Sequence, residues 1–437
     1  MTPGARLAAA IEVFAALEAE RRPAADALKS WGLAHRFAGS GDRAGIAGLV
    51  YDALRRRASS AFLMGADTPR AILIGMLKRE RGLDTDAIAR LADGSGYAAA
   101  ALTDDERARL DTANLDGANL NGALPHIAGD YPQWLDPHLA RVFGDARAEE
   151  GAALASRAPL DLRVNTLAAD RDKVAAMLSD LQPEPARWSP CGLRIRLAAD
   201  AKSPAIHAEP AFLKGMIEVQ DEGSQLAALF SGAKPGEQVV DLCAGAGGKT
   251  LALAAMMENR GQLYATDDDK RRLAPIHERL ARSGARNVQV RTPKSVGGEL
   301  DDLASRIDLV VIDAPCTGTG AWRRNPDAKW RMRPGALEQR VKEQADILDR
   351  AVALTKPNGR IAYITCSVLD EENGAQVRAF RARHPEFSIR PPGEVAQALG
   401  ERAFMFAKAA LMTDEGLLMT PRRTETDGFF VTLLGRG

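Results

Sequence analysis

From Gly236 to the end of the chain, short apolar runs alternate with longer segments of helical periodicity, and no other feature of the sequence restricts the fold as much. The apolar runs are Val239 to Leu242, Gln262 to Thr266, Asn287 to Arg291, Ile307 to Asp313 and Arg360 to Cys366. Between them Lys249 to Met257, Lys270 to Ser283 and Ala336 to Thr355 read as helices. Strands covered on both faces are apolar throughout, and successive parallel strands need a crossover helix. The pattern therefore specifies a mainly parallel sheet with helices on both sides, to which the last apolar run, Gly428 to Leu434, is expected to add an edge strand.

The first half of the chain is built differently. From Arg6 to about Leu110 it is rich in Ala and Arg, with Leu7, Ile11, Phe14 and Leu17, and again Ile46, Leu49, Val50 and Leu54, at helical spacing, which predicts a helical bundle. Residues 115–129 carry Asn, Gly and Pro at turn-forming density and read as a linker. Helix resumes over Tyr131 to Phe143, and LDLRVNTL from Leu160 and LRIRL from Leu193 read as strands around a helix near Asp170 to Leu181, a small α+β unit. The boundaries expected are 1–125, 126–235 and 236–437. A chain of 437 residues with 46% hydrophobic content can bury several cores, and this excludes a disordered chain.

The 58 Lys and Arg residues equal the 58 Asp and Glu, which argues against polyanion binding over the whole surface and leaves a local basic patch open. Four widely spaced cysteines and six histidines suit neither a disulfide framework nor a zinc cluster, so no metal is expected and the cell interior is the expected compartment. No signal peptide or membrane span is read.

The first strand runs directly into Asp241-Leu-Cys-Ala-Gly-Ala-Gly-Gly-Lys-Thr250. Glycines there let the backbone turn sharply and approach a ligand at a helix N-terminus, so a nucleotide-like cofactor is implied. The spacing fits neither a P-loop, which needs its first glycine five residues before the Gly-Lys where Gly245 stands three before Gly248, nor a dinucleotide fingerprint, which needs Gly at 250. Asp267, at the end of the second strand, is placed to accept from both ribose hydroxyls, while Asp268 and Asp269 read as solvated caps of the next helix.

Strands four and five end in Asp313-Ala-Pro-Cys-Thr-Gly and Thr365-Cys366-Ser367, so one sheet edge receives an Asp and two thiols, Cys316 and Cys366; Cys191 and Cys243 lack that placement and read as structural side chains. Residues 321–343 hold seven Lys or Arg against three acids, interleaved with Trp322 and Trp330. That composition suits a loop that tracks phosphates and stacks bases, with Arg323, Arg324, Lys329 and Arg331 as RNA contacts; the alternative is a solvated helix lead-in with packing tryptophans.

DLCAGAGGKT, DAPCTGTG and YITCSVLDEEN (Tyr363 to Asn373), with LRVNTL, VQDEGSQLA, RRNPDAKWR and the closing DGFF, resemble the RsmB/Sun group of the NOL1/NOP2/sun family of RNA cytosine-5 methyltransferases. The amino-terminal bundle, with SGDRAGIAGLVYDALRRR from Ser40, is similar to a NusB-like domain. The resemblance implies a multidomain chain: an α/β Rossmann-like class I methyltransferase domain preceded by a small α+β unit and an all-α NusB-like domain. It implies S-adenosyl-L-methionine as cofactor, wrapped by the backbone of Cys243, Ala244, Gly245, Ala246, Gly247, Gly248 and Lys249, with Asp267 on the ribose and Asp313 near the reacting centre. Cys366 is then the nucleophile toward cytosine C6, and Cys316 assists product release.

Small-subunit (16S) ribosomal RNA is the acceptor so implied, for a cytoplasmic and monomeric enzyme; transfer RNA, another ribosomal RNA, a protein or small-molecule acceptor, and a non-catalytic assembly factor remain the alternatives. Two departures stand out. Ala246 replaces the family's loop proline, with Gly245 before it, and Thr292, Pro293 and Lys294 stand where an acid would meet the adenine.

Overall fold

The computed structural model describes residues 1–113, 120, 122–197, 204–293 and 298–437. It divides into two compact units. Met1–Arg157 with Trp322–Met332 forms an all-helical unit, so the helical part runs on past residue 125. Its first helix, Pro3–Glu20, starts on Thr2, whose Oγ1 accepts from the Ala5 amide at 3.2 Å, and buries Leu7, Ala10, Phe14 and Leu17 along one stripe. These side chains pack with Ile46, Val50 and Leu54 of helix Ser40–Arg55 and with Ile72 and Met76 of helix Pro69–Arg79. Of the expected linker, 115–119 and 121 lie outside the described residues, and Pro125–Ala128 is a helical turn.

The second unit holds Ala158–Leu197, Ser203–Ala321 and Arg333–Gly437. Strands β1 (Leu160–Val164), β2 (Glu184–Pro185), β3 (Gly192–Ile195) and β4 (Ile217–Val219) form a four-stranded antiparallel sheet ordered β2-β3-β1-β4. The pleat sends Leu162 and Val164 into a core with Val174, Leu178, Leu193 and Ile217. On the opposite face Asp161 is buried but paired, accepting both bonds of an Arg194 fork at 2.7 and 2.9 Å.

The larger sheet contains β5 (Gln238–Asp241), β6 (Gln262–Ala265), β7 (Val288–Val290), β8 (Ile307–Asp313), β9 (Thr355–Thr365), β10 (Phe387–Ile389), β11 (Leu411–Met412), β12 (Leu417–Met419) and β13 (Phe429–Arg436). Its order is β11-β12-β13-β9-β8-β5-β6-β7, with β10 also on β13. From β7 to β9 the pairing is parallel. Val239, Leu309, Val311, Ala362 and Ile364 pack against Leu226, Leu253 and Phe406, while the alternate residues Val240, Val310, Ile312 and Tyr363 are equally buried on the other face. The chain order reverses between β5 and β8, and in such sheets ligands bind beyond the carboxyl ends at that point.

Two expectations change. β13 is not an edge strand, because β12 pairs with its first half and β10 with its last three residues, while β9 runs along its other side. The helix expected over 270–283 is two, Lys270–Leu273 and Ile276–Ser283, since Pro275 lacks the amide that a continuous helix would use. No helix among the described residues is long and apolar enough to cross a membrane.

Candidate active site

Four strand ends of the larger sheet supply the site. After β5 the backbone turns through Gly245 (φ 50°) and Gly247 (φ 86°), and a Cβ at Gly247 would lie 2.5 Å from Ile276 Cγ1, so only glycine fits there. The turn is tied down by Ala244 N to Thr266 O at 2.8 Å, Gly245 N to Asp267 Oδ2 at 3.0 Å and Gly247 N to Ala244 O at 2.8 Å. Gly248 then opens the helix Gly248–Met256. Ala246, where the resembling family has proline, offers its carbonyl to Arg279 at 2.9 Å, and Glu218 holds that guanidinium at 2.8 Å. Arg279 is a brace that the sequence did not single out, because its two partners lie 33 and 61 residues away.

Asp267 is 3% exposed. Its carboxylate accepts from the amides of Gly245 and Asp269, both at 3.0 Å, and keeps lone pairs for further donors. Asp268 pairs with Arg350 at 3.1 Å, and Asp269 caps the following helix through Arg271 N at 2.8 Å. Beneath the turn, Asp241 accepts from Thr250 Oγ1 at 2.7 Å while its other oxygen is buried without a partner. Burial pushes this carboxyl up to about 7, outweighing the Thr250 bond. Burial also pushes the Cys243 thiol well up. After β7 come Thr292 and Pro293; Lys294 lies outside the described residues.

Beyond β8 and β9 the two thiols meet, with Cys316 Sγ 3.3 Å from Cys366 Sγ. Contact with Cys366 and then burial push the Cys316 thiol well up. Asp313 is 2.7 Å from Lys249 Nζ, which also donates to Ser224 Oγ at 3.2 Å and sits 5.0 Å from the centre of the Phe429 ring. VQDEGSQLA and DGFF thus reach the site through Ser224 and Phe429. Glu372 is fully buried behind the Cys316 turn, accepting from Thr317 N at 2.8 Å and from Gln344 Nε2 at 3.0 Å. Neither Glu372 nor Gln344 carried a signal beyond membership of a motif or a helix, since their partners are distant in the chain.

The basic, tryptophan-bearing segment goes elsewhere. Trp322, Arg323 and Lys329 are buried in the helical unit, at 1%, 4% and 0% exposure, which corrects the expectation that Arg323 and Lys329 line an RNA track. Lys329 Nζ donates to the carbonyls of Arg55 at 2.9 Å and Asp130 at 2.6 Å, and Trp330 Nε1 donates to Leu54 O at 2.7 Å. Asp327 accepts from the amide of Ala24 at 3.2 Å. Helix Pro326–Arg331 therefore satisfies the last carbonyls of helix Ser40–Arg55 and a first amide of helix Ala24–Ala34, and those caps, not phosphates, use its charge. Arg324 is half-buried, and Arg331 is exposed and paired with Asp327 at 3.1 Å.

Residues 229–435 match the family model described as 16S rRNA methyltransferase RsmB/F, and residues 131–202 match the ferredoxin-like domain of RsmF/B-like methyltransferases. Ribosomal RNA small subunit methyltransferase B of Vibrio vulnificus is 31% identical over 323 residues, 71% of this chain and 68% of that protein. Its namesake from Klebsiella pneumoniae is 33% identical over 266 residues, 61% of each chain and so less than two thirds of that relative. Among solved structures, PH0851 superposes over 99% of both chains at a TM-score of 0.68 and 24% identity. NSun6 from Pyrococcus horikoshii with SFG covers 70% of this chain and 98% of its own at a TM-score of 0.58 and 20% identity. The glycine turn that excludes a Cβ and the buried Asp267 beside it fit S-adenosyl-L-methionine, the cofactor of this protein. With its methyltransferase sheet, its ferredoxin-like unit and these relatives, the chain belongs to the RsmB/F family of ribosomal RNA methyltransferases.

Proposed function

We propose that this protein methylates C5 of a cytosine in RNA, with small-subunit ribosomal RNA as the acceptor. The observation that carries the reading is the pair of thiols, 3.3 Å apart beside Asp313 at two neighbouring strand ends. Methylation of an oxygen, an amine or a protein side chain has no use for two thiols in the cleft, whereas C5 of cytosine is too weak a nucleophile without covalent help.

When bound, S-adenosyl-L-methionine supplies the methyl group, and the residues fitted to hold it are the Cys243 to Lys249 turn and Asp267. Cys366, at the end of a rigid buried strand, adds as thiolate to C6 and turns the ring into an enamine, so that C5 becomes nucleophilic. After C5 is methylated its proton passes to water, the C5–H pair re-forms the C5=C6 double bond, and the C6–S bond breaks with its electron pair returning to the Cys366 sulfur. Cys316, whose sulfur lies 3.3 Å from that of Cys366, stands beside that bond and assists release by donating its S–H to the departing sulfur. Asp313, held by Lys249, accepts from the cytosine amino group once the base is out of its stack, and from N3 only while that nitrogen carries a proton in the adduct. In the same reading the helical unit is a NusB-like domain that engages RNA, and the protein works as a cytoplasmic monomer. The similarity to PH0851 over the whole chain supports the helical assignment at the level of fold.

The test is incubation with methyl-labelled S-adenosyl-L-methionine and, separately, unmodified small-subunit rRNA, large-subunit rRNA, transfer RNA and a protein extract. Label recovered as 5-methylcytidine from small-subunit rRNA is expected. Label in another RNA would move the acceptor, and label in protein alone would overturn the reading.

A further inference from the structure

Residues 372 and 373 follow one another in the chain, yet their hydrogen bonds centre on different thiols, Asn373 on the Cys366 side and Glu372 mainly on the Cys316 side, with the Ser367 hydroxyl also acting on the Glu372 carboxyl. Asn373, almost fully buried, accepts from Thr365 Oγ1 at 2.6 Å and donates to Ser367 O at 2.9 Å, the residues immediately before and after Cys366. Glu372 accepts from Thr317 N at 2.8 Å and from the Thr317 hydroxyl at 2.5 Å. Gln344, which donates to Glu372 at 3.0 Å, also donates to Pro315 O at 2.9 Å. Pro315 and Thr317 are the residues immediately before and after Cys316.

We propose that Glu372 and Asn373 are positioning residues that set the two thiols separately, Asn373 clamping Cys366 and Glu372, together with Gln344, clamping Cys316. The proposal rests on the reading of this cleft as a two-thiol site and adds what places each sulfur. The sheet's own pairing stops at the end of β9, and just beyond it the chain is held by Gly320 N, which donates to Cys366 O at 2.9 Å, and by Thr319 Oγ1, which accepts from Val368 N at 2.9 Å. There the two clamps supply bonds that the sheet does not. The hydrogen-bonding partners of the Glu372 carboxyl are all neutral, and burial pushes the group up from the usual carboxylate range. A carboxyl held there by hydrogen bonds needs no negative charge, so glutamine, with one acceptor and one donor end, can replace it.

The experiment reads each thiol without requiring turnover. The full-length protein is treated with iodoacetamide, and the alkylation rates of Cys316 and Cys366 are followed by peptide mass spectrometry. Losing a clamp of two or three hydrogen bonds frees the adjacent turn, so Glu372→Ala is expected to change the rate at Cys316 by about fivefold or more and that at Cys366 by less than about twofold. Asn373→Ala is expected to do the reverse, and Glu372→Gln to restore the wild-type rate at Cys316.

Thermal melts identify a variant that simply unfolds, because both rates then rise together with a loss of the transition. In that case the single clamp bond removed by Thr317→Val is the second variant, with the Cys316 rate alone expected to change. Equal effects of folded Glu372 and Asn373 variants on both thiols, or no effect on either, would overturn the proposal. Failure of the function itself is distinguishable, since it appears as absence of methyl transfer by the wild-type protein to every RNA tested, with the alkylation pattern unaffected.

Discussion

At the scale of single residues the two thiols have separable roles, because one ends a buried strand and the other lies in a turn. Cys366→Ala is expected to abolish methyl transfer and to form no covalent RNA complex. Cys316→Ala is expected to attack and methylate and then stall as a protein–RNA adduct that survives denaturing electrophoresis. Trapping in the Cys366 variant and not in the Cys316 variant would exchange the assignments. Asp267 gives a second prediction. Its carboxylate already orders the Gly245 amide, so Asp267→Ala removes both a ribose acceptor and a tie within the glycine turn. One charged hydrogen bond contributes about 1.5–3 kcal/mol, so the Kd for S-adenosyl-L-methionine is expected to rise by about tenfold or more in titration calorimetry. Unchanged affinity in a folded variant would remove Asp267 from the cofactor site. The strand-end positions of Asp267, Asp313, Cys316 and Cys366 were legible because an apolar run followed by a polar residue marks a strand end locally. The partners Arg279, Gln344 and Glu372 were not, since nothing in the neighbouring residues says what a distant loop will touch.

At the scale of elements the segment 322–332 is the instructive case. Its composition is that of a nucleic-acid loop, and its place in the structure is that of a capping helix inside the helical unit. Charge density read from sequence does not distinguish a cation offered to phosphate from one offered to helix carbonyls, because both are served by the same ammonium. Burial pushes Lys329 down from 10.5 to about 7. An unfolded lysine stays protonated to higher pH, so between about 7 and 10 the unfolded chain binds more protons and the native state gains stability as pH rises, by up to about 1.4 kcal/mol per unit. Below 7 both states carry the charge and its burial cost is fully present. Lys329→Met also orphans two buried carbonyls. The variant should therefore lose about 2–4 kcal/mol at pH 9 and distinctly less at pH 6, measured by denaturant unfolding of the helical unit. A loss independent of pH would show that Lys329 does not titrate there.

At the scale of the whole molecule two compact units predict two unfolding transitions, of which the cofactor touches one. At a concentration 100 times its Kd, S-adenosyl-L-methionine is expected to stabilise the unit of the larger sheet by about 2.7 kcal/mol and to raise that transition in scanning calorimetry, leaving the helical unit's transition in place. Equal shifts of both would mean that the chain unfolds as one. The alternation of strand and helix, the helical first half, the glycine turn and the polar strand ends were determined by the sequence itself, because periodicity and turn chemistry act between residues that are close in the chain. Tertiary structure alone decided that β13 lies inside the sheet, that Trp322 to Met332 belongs to the helical unit, and that Glu372 meets Thr317 while Asn373 meets Thr365. Apart from the Asn373 bonds, which span 6 and 8 residues, those outcomes depend on groups tens to hundreds of residues apart, and which of them meet is settled by packing and by the need to satisfy buried polar atoms.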